Sequence, residues 1–307
     1  MAPWSAEDIP DLTGRVVIVT GANTGLGLET AKALACRGAH TFITSRDTTK
    51  GSKAVADIKA KADGAKVEML QLDLASFESV KAAAAAFLAK NLPLHTLILN
   101  AGVFLPPHLK TQQGFELMVG TAYFGHALLV ELLLPKTKAS APARIVWMSG
   151  ALEAQAKLRW DDLGLEQATN SGMAEAAHLN ALRIMAAFEL NKRLAGSGVD
   201  VFAVHPGVSR TEGLTKIDSS KLMAQVLGMV APLIAQPASR GALSTLYAAT
   251  APELTGHGGG YYGPNMLNMG NTVKREPGNK YAKDPANWQR AWDQTLQILR
   301  AKGGLAS

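Results

Sequence analysis

At 307 residues, with 47% apolar and 18% charged side chains, the chain can bury a full core and has the composition of an ordinary globule. Lys and Arg exceed Asp and Glu by 31 to 25. The basic residues are scattered, with no basic run and no interleaved aromatics, which argues against nucleic acid and fits an anionic small-molecule cofactor.

The N-terminal stretch MAPWSAEDIPDLTG has neither a basic nor an apolar region, so no secretory signal is expected. Short β-branched or apolar runs follow at 15–20 (RVVIVT), 40–45 (HTFITS), 66–72, 95–100, 144–149 and 199–204. Stretches with helical spacing lie between them at 25–37, 48–61, 76–90, 112–138 and 172–195. Strands alternating with helices of this length predict parallel βαβ units. The expected architecture is α/β: one Rossmann-type domain over 1–307, a doubly wound parallel sheet of about seven strands with helices on both faces. The lone Cys36 excludes an internal disulfide and fits a reducing compartment. The longest apolar candidate, 222–235, contains Gln225, Gly228 and Pro232 and falls short of the ~20 residues of a membrane span. These features predict a cytoplasmic chain with no spanning segment.

The sequence VVIVTGANTGLG places Gly21, Gly25 and Gly27 between the first strand and the first helix. Glycines there let the backbone turn tightly and approach a pyrophosphate at the helix N-terminus, where amide N–H groups and the dipole favour negative charge. The second strand ends in SRD. An Arg at that place suits a ribose 2′-phosphate, so Arg46 points to NADP(H), while the following Asp47 pulls toward a free hydroxyl. A solvated loop charge is the alternative for Arg46.

TGANTGLG, SRD, LDLAS at 72–76, NAG at 100–102, GFELMVG, FGHALLVELLLP, WDDL at 160–163, FELNKRLAGSGVDVFAVHPGVSRT and GGYYGP at 259–264 span nearly the whole chain. Together they resemble the short-chain dehydrogenase/reductases, in the branch of retinol dehydrogenase-like and WW-domain oxidoreductase-like proteins. The resemblance implies a cofactor set of Gly21, Asn23, Thr24, Gly25, Leu26, Gly27, Arg46, Asp73, Leu74, Asn100, Ala101, Gly102, Asn180, Pro206, Gly207, Val208 and Thr211. It also implies pairing of the helices at 112–138 and 172–195 into a homodimer or homotetramer.

That family works with an Asn–Ser–Tyr–Lys set, in which Tyr exchanges the proton, Lys lowers its pKa and holds the ribose, Ser positions the carbonyl and Asn anchors a water. Carried onto this sequence, the four places fall on Ala122, Gly150, Ala176 and Asn180. The stretch 172–188 contains neither Tyr nor Lys, so the set is expected to be missing.

Glu153 and Arg183 are the candidate replacements. Glu153 sits on the loop after Gly150, where a raised pKa would make a carboxyl an acid or base. Arg183 is seven residues past Ala176 and returns to nearly the same helix face as a substitute cation. A solvated loop Glu and a surface salt bridge are the competing assignments. His178, His126, His205 and Tyr123 are expected in packing or capping roles, and no metal site is expected. The apolar, Met-rich segment 214–236 corresponds to the family's substrate lid and predicts a bulky hydrophobic substrate, or else a subunit interface.

Three readings follow. The leading one is a non-redox catalyst that keeps NADP(H) unconsumed while orienting a secondary-metabolite-like substrate. The second is an atypical NADPH-dependent carbonyl or enone reductase with a substitute proton donor. The third is a cofactor-binding pseudoenzyme.

Overall fold

The computed structural model describes residues 4–103, 106, 109–168, 172–207, 236–264 and 272–306. The six strands expected from the apolar runs form as β1 (Val16–Val19), β2 (His40–Ser45), β3 (Val67–Gln71), β4 (Thr96–Leu99), β5 (Ala143–Met148) and β6 (Val199–Val204). They lie parallel in the order β3-β2-β1-β4-β5-β6. The strands are short and β-branched, and β1, β4 and β5 are buried at every residue, as a sheet covered on both faces requires.

The sheet is larger than expected, with eight strands rather than about seven. β7 (Tyr261–Pro264) continues the parallel order, and β8 (Thr272–Arg275) pairs antiparallel on its outer edge. Both escape a periodicity reading. β7 carries Gly263 and Pro264, and β8 is a half-exposed edge without an apolar run.

Helices α1 (Gly25–Cys36), α2 (Thr48–Lys59) and α3 (Phe77–Leu88) follow the first three strands. The next helical stretch begins with Leu117–Val119, widens into a π-turn at Gly120–Phe124 and continues as α4 (Gly125–Lys138). Its 22 residues from Leu117 to Lys138 include an 18-residue window of mean hydropathy 1.7, apolar and long enough to cross a membrane by composition alone. This corrects the expectation that no run approaches that length. A share of 72% of the apolar window is buried inside the protein, so in this structure the helix packs into the core.

α5 (Met173–Arg193) is buried from Glu175 to Leu190 without a break. α6 (Leu243–Thr250) lies on the opposite face, where Leu246 packs in the cluster that holds Val17, Val19 and Val146. α7 (Pro285–Ala301) docks on α5 through Phe188 and Trp288, whose ring centres are 4.9 Å apart. The expected lid, 214–236, falls outside the described residues except for Gln236.

Candidate active site

β1 has β2 on one side and β4 on the other, so the chain reverses its winding direction at β1. In doubly wound sheets the crevice beyond the strand ends at that point is where ligands bind. Here a cleft of about 410 Å³ opens there. Gly21, Asn23, Thr24, Gly25, Leu26, Gly27, Arg46, Asp73, Leu74, Asn100, Ala101 and Gly102 all line it.

The turn is built as the glycines require. Gly21 has φ +63°, and a methyl there would stand 2.8 Å from Ala101 Cβ. A methyl at Gly27 would meet Asn100 Nδ2 at 2.5 Å, so α1 packs directly on the end of β4. Thr24, at the N-cap of α1, makes no side-chain cap, leaving the first-turn amides of a twelve-residue helix to an anion in the cleft. That arrangement fits a dinucleotide pyrophosphate.

Beneath the turn, Thr20 Oγ1 accepts from the N–H groups of Asn100 and Ala101, both at 2.9 Å, and meets His126 Nε2 at 2.8 Å. Burial first, then the Arg183 charge, pushes the His126 imidazole down to about 3, so it is neutral. A neutral ring fits when His126 Nδ1–H donates to Ala122 O, 3.2 Å away, and Nε2 accepts from Thr20, the shorter of the two contacts open to that hydroxyl hydrogen.

At the adenosine edge, Asp47 caps α2: its carboxylate accepts from Lys50 N at 3.0 Å. The acidic neighbour that pulled against Arg46 is thereby occupied within the backbone. Lys50, one turn into α2, lines the same edge as Arg46. A reading that stopped at the strand end missed it, although a basic residue four positions after Arg46 was the available signal.

The places where the family set was expected lie behind Gly102 and Thr121 of the cleft wall and do not line it themselves. Ala122 is fully buried in the π-turn, and its carbonyl accepts from Arg183 Nε at 2.9 Å. Arg183 Nη1 reaches Asn180 Oδ1 at 3.4 Å, and a methyl at Gly102 would lie 3.2 Å from Arg183 Nη2 and 3.4 Å from Ala122 Cβ. Asn180 fills the space beside Gly150, where an added methyl would stand 2.7 Å from its Nδ2. Ser149 Oγ donates to Asn180 O at 2.9 Å. Ala176 is buried one turn earlier on α5.

Arg183 is only 7% exposed and makes no ion pair among the described residues. The surface salt bridge considered from the sequence is not formed. Desolvation pushes its guanidinium down to about 9, still high enough to remain a cation at neutral pH.

The other predicted residues lie apart from this knot. Glu153 is 4% exposed, and its two oxygens accept from Gly278 N at 2.7 Å and Asn279 N at 3.0 Å. It is a buried clamp between the loop after β5 and the C-terminal segment, not a solvated loop residue. Pro206 and Gly207 follow β6 and do not line the described cleft wall, and nor does Asn180. Val208 and Thr211 fall outside the described residues. His178 bonds Leu163 O at 3.1 Å. Among the described residues no cluster of His, Cys, Asp and Glu could hold a metal.

The short chain dehydrogenase family matches residues 15–159. Over 288 residues the chain is 37% identical to retinol dehydrogenase 12 of Homo sapiens, covering 94% of this chain and 87% of that protein. The chain belongs to the short-chain dehydrogenase family. It is also 34% identical over 299 residues to WW domain-containing oxidoreductase of Danio rerio, covering 95% of this chain and 70% of that one. The crystal structure of an uncharacterized protein from Mycobacterium paratuberculosis superposes with a TM-score of 0.77 at 30% identity, over 97% of this chain and 98% of that one.

These relatives overturn the leading expectation of a non-redox catalyst. Similarity that runs the length of the chain leads to dehydrogenases and oxidoreductases, and so points to a redox function. The atypical oxidoreductase fits better.

Proposed function

We propose that the protein is an NADP(H)-dependent oxidoreductase of apolar alcohols or carbonyl compounds, in which Arg183 replaces the cation of the usual Tyr–Lys pair. The observation that carries this reading is the cleft: its glycine turn, free helix amides and basic edge are complete, in a chain whose relatives are dehydrogenases.

Arg46 and Lys50 flank the edge where a 2′-phosphate would sit, with Asp47 withdrawn into its cap. A large apolar alcohol such as the retinol of the relatives' name matches the hydrophobic substrate expected from segment 214–236.

A bound nicotinamide supplies or accepts the hydride. In reduction, negative charge develops on the carbonyl oxygen, and a guanidinium held in place stabilises it without reorganising. Arg183 is held for that task from two sides, by Ala122 O and Asn180 Oδ1. With Ala at the Tyr place, water delivers the proton to that oxygen.

The test is isotopic. NADPH carrying deuterium at its transferable C4 position, incubated with retinaldehyde and other apolar aldehydes, is expected to leave stoichiometric label in the alcohol formed. Unlabelled product, or no conversion across the panel, would remove the reading. For the cofactor, Arg46→Ala or Lys50→Ala should each reduce the preference for NADPH over NADH by about tenfold, the loss of one charge-assisted contact. An unchanged ratio in both variants would leave the 2′-phosphate assignment without support.

A further inference from the structure

The π-turn at Gly120–Phe124 sets the carbonyl that holds Arg183, and π-turns are rare because their hydrogen-bond geometry needs outside support. One such support comes from far away in the chain. Tyr123 is fully buried beside Ala122, with its hydroxyl 2.8 Å from Thr295 Oγ1 on α7. Thr295 Oγ1–H donates to Ala291 O at 2.8 Å, so the phenol is the donor in the pair. Burial pushes that phenol far above its ordinary range, which keeps the proton on it.

α7 is itself fastened to α5, the helix that carries Arg183. Arg193 bridges Glu189 on α5 and Asp293 on α7, at 2.7 and 2.5 Å, and Trp288 packs on Phe188. Trp292 and Leu299 are buried in the same core. Two helices far apart in sequence therefore grip the π-turn, α7 through Tyr123 and α5 through Arg183.

We propose that Thr295 and Tyr123 are positioning residues of the active site: α7 acts as a strut that fixes the π-turn, and through the Ala122 carbonyl it fixes the Arg183 guanidinium against Gly102 in the cleft wall. The inference deepens the oxidoreductase reading by naming what orients its substitute cation.

The variant to make is Thr295→Val, which keeps the volume and removes the acceptor for Tyr123. It should fold and lose about tenfold in kcat/KM for aldehyde reduction, the equivalent of ~1.4 kcal/mol. Thr295→Ser, which keeps the hydroxyl, should restore the rate. The deciding measurement is a double-mutant cycle on kcat/KM with Arg183→Met. If Thr295 acts through Arg183, Thr295→Val adds little once Arg183 is gone. Full additivity in the cycle, or failure of Thr295→Ser to rescue, would overturn the proposal.

Amide exchange across 120–125 reads the strut without any cofactor. Thr295→Val should speed exchange at Gly125, whose N–H donates to Gly120 O, and unchanged exchange there would count against the strut. A wild-type protein that binds no NADPH would refute the oxidoreductase reading and leave the exchange measurement to decide the strut.

Discussion

Among the described residues Arg183 has two partners, a backbone carbonyl and an amide oxygen, and neither carries a charge. A buried cation without a carboxylate costs several kcal/mol in desolvation, a cost that a purely structural position avoids with an apolar side chain. The expense makes sense where the charge meets an anionic or developing negative group. Arg183→Met is therefore expected to lower kcat/KM for aldehyde reduction by ~10² to 10³, the usual effect of deleting one transition-state donor. Its thermal midpoint should hold or rise, because an unpaired buried charge has gone. If activity and midpoint fell together, Arg183 would be a structural post. Asn180 and Gly150 are packed together: the amide occupies the room that a larger residue at 150 would need.

Among the elements, α1 packs closely on the end of β4 at the cleft. Gly27 lies between Asn100 Nδ2, Gly21 O and Ala22 Cα, at 2.5, 2.8 and 2.9 Å from where a methyl would be. Asn100 has its own duty there, donating to Thr20 O at 2.9 Å, so it cannot simply swing away. Gly27→Ala should push the first turn of α1 off the sheet and move the amides that face the cleft. A dinucleotide titration is expected to show binding weakened by about tenfold or more while the far-UV spectrum stays native, a shift of roughly 1.4 kcal/mol. Wild-type affinity in that variant would mean that the turn has slack the distances do not reveal. At α4 the helix itself approaches closely: a methyl at Gly125 would lie 2.4 Å from Leu74 O, on a residue that lines the cleft.

For the whole molecule, three buried histidines couple the fold to pH. Burial, the first cause in each case, pushes His126 to about 3 and His178 and His205 to about 4, all below an ordinary value of 6.5. In the unfolded chain they would take up protons near 6.5, while in the folded chain they stay neutral until much lower pH. Their contribution to stability is complete above pH 6.5 and is lost as pH falls from there toward 4 and 3. The thermal midpoint should drop steeply below about pH 6 as that stability is lost. Replacing His178 with Asn, despite lowering stability at neutral pH, should flatten the acid limb. A midpoint level from pH 7 to pH 4 would show that these imidazoles are not buried neutral.

The local alternation of short apolar runs with helical stretches determined most of the fold from sequence alone. Six strands, their helices and the glycine turn follow from periodicity and backbone sterics, which act over a few neighbouring residues. The cofactor cleft was legible for the same reason, since its wall is made where consecutive strand ends and helix starts meet. Helix spacing brought Arg183 back to the face of Ala176, but the lack of an ion pair to it among the described residues depended on what packed around it. Tertiary structure decided the rest because the partners are distant in the chain. Glu153 reads as a loop carboxylate until the turn at 278–279 folds over it. The hydropathy of Leu117–Lys138 matches a membrane helix until the surrounding sheet and helices bury it. Tyr123 and Thr295, 172 positions apart, form a pair only when α7 docks on α5, because a hydrogen bond between such residues leaves no trace in local spacing.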